Sequence, residues 1–146
     1  MIGTLSSTQI NRLALMSTVR LRVRPAGVRP TVILIGGERT PSDALVGPIA
    51  TAALKQLHLD LLFLGVHGMD AEAGYTTPNL LEAETDRAFV AASRKVVVLA
   101  DHTKWGTQGI STIAELEDAD EVISDAGLSG EAQRILRDRV SRLRLV

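Results

Sequence analysis

Hydrophobic and polar positions along this chain switch between a helical period and a strand period, and the switches divide it into short elements. Over residues 8–16, Ile10, Leu13, Ala14 and Met16 recur at helical spacing with Asn11 and Arg12 outward, which predicts a short helix. Val19, Leu21 and Val23 then alternate with Arg20, Arg22 and Arg24, the pattern of a strand with one solvated face. After Pro25, Gly27 and Pro30, a β-branched apolar run over residues 31–35 predicts a strand that stops at Gly36-Gly37. Ser42 or Asp43 can cap a helix over residues 44–57, and Gly47-Pro48 moves its regular start toward Gly47. Residues 59–66 predict a strand, residues 69–78 a turn-rich loop, residues 79–93 a helix and residues 95–100 a buried strand. Residues 121–124 predict a short strand, residues 129–139 a helix and residues 143–146 a last strand.

Strands that alternate with helical segments imply parallel pairing through crossover helices. The predicted fold is therefore α/β, a doubly wound, mostly parallel sheet with helices on both faces, in one domain over residues 1–146. Composition agrees: 45% of residues are apolar but only 3% aromatic, so Val, Leu, Ile and Ala must build the core, as in sheets buried on both sides. The net charge of −1 gives the whole chain no pull toward nucleic acid or an acidic membrane. With no cysteine, disulfide and thiol chemistry are excluded. No apolar run is long enough for a membrane span and the start lacks a signal-peptide layout, so a cytoplasmic protein with no membrane partner is expected.

In an open parallel sheet, ligands sit beyond the carboxyl ends of the strands. That rule selects three clusters, each directly after a predicted strand. Gly36 and Gly37, followed by Glu38, leave backbone N–H groups open to an anion, although the pair alone is better explained as a simple turn. Gly65-Val66-His67-Gly68 can form an anion nest in which His67 donates to a phosphate or hydroxyl; a lone histidine is more often a surface or packing residue. The following loop brings Asp70, Thr76, Thr77 and Asn79, short polar groups suited to sugar hydroxyls and phosphate oxygens. Thr77-Pro78 equally fits a helix start, with Thr77 as cap, and Glu82 one turn on could face the same crevice or only complement the helix dipole. Asp101 could accept sugar hydroxyls and Lys104 neutralise a phosphate, with Trp105 either walling the site or packing at the surface. The arginines at 20, 22, 24 and 29 are better explained as a solvated strand face than as a DNA strip, and those at 134, 137, 139, 142 and 144 as one face of an amphipathic terminal segment. Zinc-ligand spacing, a GxSxG turn and the eight-residue phosphate loop are all missing, so no metal or cofactor is expected.

Taken in order, Val32-Ile-Leu-Ile-Gly-Gly-Glu38, Ala44-Leu-Val-Gly-Pro48, Asp60-Leu-Leu-Phe-Leu-Gly65, Gly74-Tyr-Thr-Thr-Pro-Asn79, Glu82-Ala-Glu84, Leu99-Ala-Asp-His-Thr-Lys-Trp-Gly106 and Ser124-Asp125 resemble the effector domain of the DeoR family of transcription regulators. The resemblance implies a fold like ribose-5-phosphate isomerase and the CoA transferases, and a sensor that binds a phosphorylated sugar or related metabolite without catalysis. It implies that Gly36, Gly37, Gly65, His67, Asp70, Thr76, Thr77, Asn79, Glu82, Asp101 and Lys104 line the ligand site, and that the protein is a homo-oligomer. DNA would be reached only through an N-terminal helix-turn-helix, which this stretch lacks along with the early Asp-Gly-Gly-Thr-Thr-like phosphate loop. The expectation is thus a fragment or a degenerate homologue, in which Leu5-Ser6-Ser7-Thr8 is all that remains of a Thr-Asn-Ser strand end. Two alternatives remain: an oligomerisation module with a vestigial pocket, and a phosphosugar isomerase with Glu82 as base, the latter weakened by Val66-His67-Gly68 where such enzymes carry an acidic pair.

Overall fold

Aliphatic runs with little aromatic bulk pair well as parallel strands covered on both sides, and such a sheet forms the centre of the computed structural model, which describes residues 13–16 and 32–146. In chain order the elements are β1 (Leu13–Met16), β2 (Glu38–Arg39), β3 (Leu45–Val46), α1 (Pro48–Leu54), β4 (Leu61–Gly65), β5 (Gly68–Asp70), β6 (Gly74–Thr77) and α2 (Leu80–Ala92). They continue with β7 (Val96–Leu99), a 3₁₀ turn (His102–Lys104), β8 (Ser111–Ala114), a second 3₁₀ turn (Leu116–Asp118), β9 (Glu121–Ser124), α3 (Gly130–Arg139) and β10 (Leu143–Leu145). Five strands make one parallel sheet in the order β1-β4-β7-β9-β10. Beside it lie a three-stranded antiparallel sheet, β5-β6-β8, and the small antiparallel pair β2-β3.

The register of the parallel sheet sets the core. Leu62 pairs with Val96, Leu64 with Val98, and Val98 with Val122, so these side chains share one face. All are buried, and Leu54 of α1, Phe89 of α2 and Leu136 of α3 belong to the same cluster. Each such side chain contributes roughly 1.5–3 kcal/mol on leaving water. Tyr75 and Met69, from the antiparallel sheet, are also wholly buried in this core.

The segments that carry the small sheet are tied down by polar contacts. Arg139 at the end of α3 grips Glu117 with two guanidinium nitrogens, Nη2 to Oε2 at 2.7 Å, and also donates to the carbonyl of Ala71 beside the β5–β6 turn. A two-point arginine–carboxylate contact fixes orientation as well as distance. Buried Glu121 accepts from Arg144 Nε at 2.9 Å, with Lys95 and Arg142 near by. The C-terminal arginines at 139, 142 and 144 therefore hold carboxylates rather than forming only a solvated stripe.

Several expectations change. Leu13–Met16 is a strand, not the end of a helix; four consecutive apolar residues fit either, and parallel pairing with Leu61–Leu64 decides. The rest of that expected helix, the strand at residues 19–23, Thr31 and the arginines at 20, 22, 24 and 29 lie outside the described residues. Residues 32–35 are not a strand: residues 32–37 are irregular, and Val32, Ile33 and Leu34 are exposed. A β-branched run becomes a strand only by pairing, and no described strand pairs with this one. The helix expected over residues 44–57 yields its first residues to β3 and begins at Pro48 after Gly47. The loop expected over residues 69–78 contains β5 and β6, and the connection between β7 and β9, for which no element is predicted, contains β8 and two 3₁₀ turns. The fold is accordingly mixed α/β, with parallel and antiparallel sheets and flanking helices.

The β5–β6 turn depends on Gly74. Its φ is +68°, and a Cβ there would lie 2.3 Å from the carbonyl oxygen of Ala114 on β8. Replacing it, Gly74→Ala, should destabilise the domain by about 1–3 kcal/mol or more, read as a lower urea midpoint with an unchanged slope.

Candidate functional site

The carboxyl ends of β4 and β7 lie side by side, because Gly65 pairs with Leu99. The chain leaving β4 carries Val66 and His67, and the chain leaving β7 carries Ala100, Asp101 and Lys104. Both line one crevice of about 630 Å³, whose other wall is Thr77, Pro78, Glu82 and Asp86 around the start of α2, with Ser42, Ala44 and Ile113 completing it. That size suits a small metabolite.

Among the residues expected at the site, Gly65, His67, Thr77, Glu82, Asp101 and Lys104 come together in this crevice. Gly36, Gly37, Asp70, Thr76 and Asn79 do not line it. Gly36 and Gly37 have φ of +77° and +109°, and a Cβ on Gly37 would meet the Val46 carbonyl oxygen at 2.3 Å, so the pair serves a turn packed on β3. Asp70 Oδ1 accepts from the backbone of Glu72 and Ala73 at 2.9 and 3.0 Å, which stabilises the β5–β6 turn and holds this carboxyl below its ordinary value. Thr76 is buried, its hydroxyl accepting from Gly109 N at 2.8 Å. Asn79, rather than Thr77, is the cap of α2: its Oδ1 accepts from Leu81 N and Glu82 N at 2.9 and 3.1 Å. Two free amides that could have met an anion there are thereby occupied. Trp105 packs partly against the core and is not a crevice wall.

The crevice side chains are positioned by named partners. Glu82 receives hydrogen bonds from Ser42 Oγ and, at 3.2 Å, from Thr77 Oγ1, which ties the loop before β3 and the end of β6 to one carboxylate. Asp101 caps the 3₁₀ turn, accepting from Thr103 N at 2.9 Å and from the Thr103 hydroxyl; these bonds, with Lys104 near by, hold its carboxyl below the usual range. Asp125, at the end of β9, accepts from His102 N at 2.8 Å and meets His102 Nδ1 at 2.7 Å. The backbone amides of His102 and Gly127 pull the Asp125 carboxyl down to about 2. Asp101, His102 and Asp125 have ligand atoms close enough for a cation, but hydrogen bonds inside the cluster account for their arrangement. Lys104 makes no ion pair among the described residues, so its charge is available to a ligand.

Asp86 is a crevice residue that the sequence pattern does not single out. It lies one helical turn after Glu82, and an acidic residue on a helix ordinarily reads as solvent-facing. Here it is only 6% exposed. Burial, and secondarily the Glu82 charge, push its carboxyl from an ordinary 3.8 up to about 7 against the opposing pull of Arg87. The available signal was the pair of acidic residues four apart on one face, a spacing that repels on a helix.

Residues 15–126 match the model of the DeoR C terminal sensor domain. The chain belongs to the DeoR family. It is 40% identical over 103 residues to an HTH-type transcriptional regulator GlpR of Haloferax volcanii, covering 70% of this chain and 40% of that protein. An uncharacterized HTH-type transcriptional regulator YulB of Bacillus subtilis is 32% identical over 112 residues, 75% of this chain and 43% of its own length. The glycerol-3-phosphate regulon repressor of Escherichia coli is 29% identical over 115 residues, 78% of this chain and 46% of its own length. The chain thus spans less than half the length of these relatives. As a DeoR sensor domain it is a non-catalytic regulatory module. Among the described residues no helix is long and apolar enough to cross a membrane.

The sensor domain should show an unusual pH response. A folded Asp86 that keeps its proton up to about pH 7, against 3.8 when unfolded, contributes stability that is fully present below about pH 4 and lost as pH rises through 7. The charges that act on it are those of Glu82 and Arg87 on α2, while the titratable side chains of His67, Asp101 and Lys104 line the same crevice. Asp70, Asp101 and Asp125, all lowered, titrate below this window. The urea midpoint should therefore fall between about pH 4.5 and 7 in a way that Asp86→Asn flattens. Equal slopes in the two proteins would show that Asp86 ionises normally.

Proposed function

We propose that this domain binds a phosphorylated sugar or polyol in the crevice, and that occupancy regulates DNA binding by a helix-turn-helix elsewhere in the whole protein. One observation carries the reading: Lys104, which makes no ion pair among the described residues, shares a crevice with the hydroxyl of Thr77 and the carboxylates of Glu82 and Asp101. A phosphate provides the anion for Lys104 and, when His67 is protonated, for its imidazolium. The carboxylates and hydroxyls then receive the ligand's OH groups. Lying at the carboxyl ends of parallel strands, the crevice is consistent with the finer kinship to ribose-5-phosphate isomerase and the CoA transferases. That a relative is called a glycerol-3-phosphate regulon repressor supports a small phosphorylated ligand. In this reading the functional unit is a homo-oligomer in the cytoplasm, and the ligand acts by favouring one of its conformations.

Thermal melting with glycerol 3-phosphate, fructose 1-phosphate and fructose 6-phosphate, against fructose, glycerol and inorganic phosphate, tests the reading. A selective rise equivalent to about 3 kcal/mol at a hundredfold excess over Kd is expected with a phosphorylated compound. Lys104→Ala should weaken that binding about tenfold to a hundredfold while leaving the melting of the unliganded domain nearly unchanged. Equal shifts with fructose and its phosphates would remove the phosphate from the proposal.

A further inference from the structure

Asp86 lines the crevice, yet its Oδ1 is enclosed and has no hydrogen-bond partner among the described residues. Buried carboxyl oxygens in native proteins nearly always have partners, so this one asks for a ligand. Its neighbours are already committed. Glu82 is held by Ser42 and Thr77. The Thr85 hydroxyl donates to Leu81 O at 2.9 Å and accepts from Gly47 N at 3.3 Å. Arg87, the adjacent cation, turns to β8, where Nη1 donates to Thr112 O at 2.6 Å. None of these neighbours satisfies Asp86, and the residue itself is part of the crevice wall.

We infer that Asp86 is a specificity-determining residue of the sensor, hydrogen-bonding a hydroxyl of the ligand from the α2 wall of the crevice. The inference rests on the proposed sugar-phosphate reading and adds the group that reads the hydroxylated part. A phosphate does not fit this position, because Glu82 already places negative charge beside it. A hydroxyl fits in either protonation state: it donates to a carboxylate and accepts from a carboxylic acid. Asp86 therefore discriminates between phosphorylated compounds that differ in their hydroxyls, whereas Lys104 responds to the phosphate they share.

The same position gives opposite signs for binding and stability. Removing an enclosed, unpartnered carboxyl should stabilise the empty domain and weaken the occupied one. The experiment is calorimetric titration of the 146-residue chain with glycerol 3-phosphate, fructose 1-phosphate, fructose 6-phosphate and inorganic phosphate, for wild type, Asp86→Ala and Asp86→Asn, with urea unfolding of each unliganded protein. For whichever organic phosphate the wild type binds best, Asp86→Ala should lose about tenfold to a hundredfold in affinity, and Asp86→Asn should recover part of that loss through its amide. Both unliganded variants should unfold at higher urea than wild type at pH 8. Wild-type binding that persists unchanged in Asp86→Ala overturns this inference alone. A lower urea midpoint in both variants marks the carboxyl as structural and overturns it as well. A wild type that binds none of the organic phosphates overturns the sugar-phosphate reading and this inference together.

Discussion

The site exists because β4 and β7 end level with each other. Their register, Leu62 with Val96 through Gly65 with Leu99, is fixed by the side chains that the sheet buries. A slip of one residue would turn Leu62 and Leu64 out of the core, at a cost of several kcal/mol. The same register brings the loop carrying His67 beside the loop carrying Asp101 and Lys104. Convergence of these chemical groups is therefore a by-product of core packing, and the crevice needs no separate device to assemble its strand-end wall.

The opposite wall has a different origin. Asn79 caps α2 and sets where the helix begins, which places Glu82 and Asp86 on successive turns of one face. Ser42 and Thr77, from segments far apart in the chain, then meet at Glu82. Because Glu82 is satisfied by the protein itself, a ligand that approaches it must compete with existing hydrogen bonds. Asp86 and Lys104 offer contacts that nothing in the empty domain supplies. The two walls thus contain both preorganised groups and groups that gain a partner only on binding.

Much of this was legible in the residues, for reasons that can be named. The pattern predicts Glu121–Ser124 and the helix following Ser129 with nearly their observed bounds, since a short strand-like run and a serine cap leave little ambiguity. The strand-end rule finds Gly65, His67, Thr77, Asp101 and Lys104 because it depends only on where strands stop, and Glu82 follows from its place one turn into the next helix. The antiparallel sheet was missed: β5 and β6 are three and four residues of Gly, Met, Asp, Tyr and Thr, and β8 joins them from more than thirty residues away. Turn composition hid the strands, and only tertiary pairing creates them. Leu13–Met16 failed for the converse reason, as a four-residue apolar run has no period of its own. Asp86 was hidden by its residue type, because burial of a helix aspartate depends on what packs over it.

An unsatisfied carboxyl in so small a domain is informative about how a sensor must work. A ligand shifts a conformational equilibrium only through interactions that differ between the states. Groups already paired in the empty protein, such as Asp101 with Thr103 or Asp125 with His102, change little when a ligand arrives. The differential free energy has to come from groups that are poorly satisfied without it. Asp86, enclosed and unpartnered, and Lys104, charged and without an ion pair among the described residues, are the two crevice side chains that meet this condition most clearly. They also differ in what they recognise, one a hydroxyl and the other an anion. A compound that offers only one of these groups leaves the other unsatisfied, so the empty crevice is least well satisfied where the complete ligand contributes most.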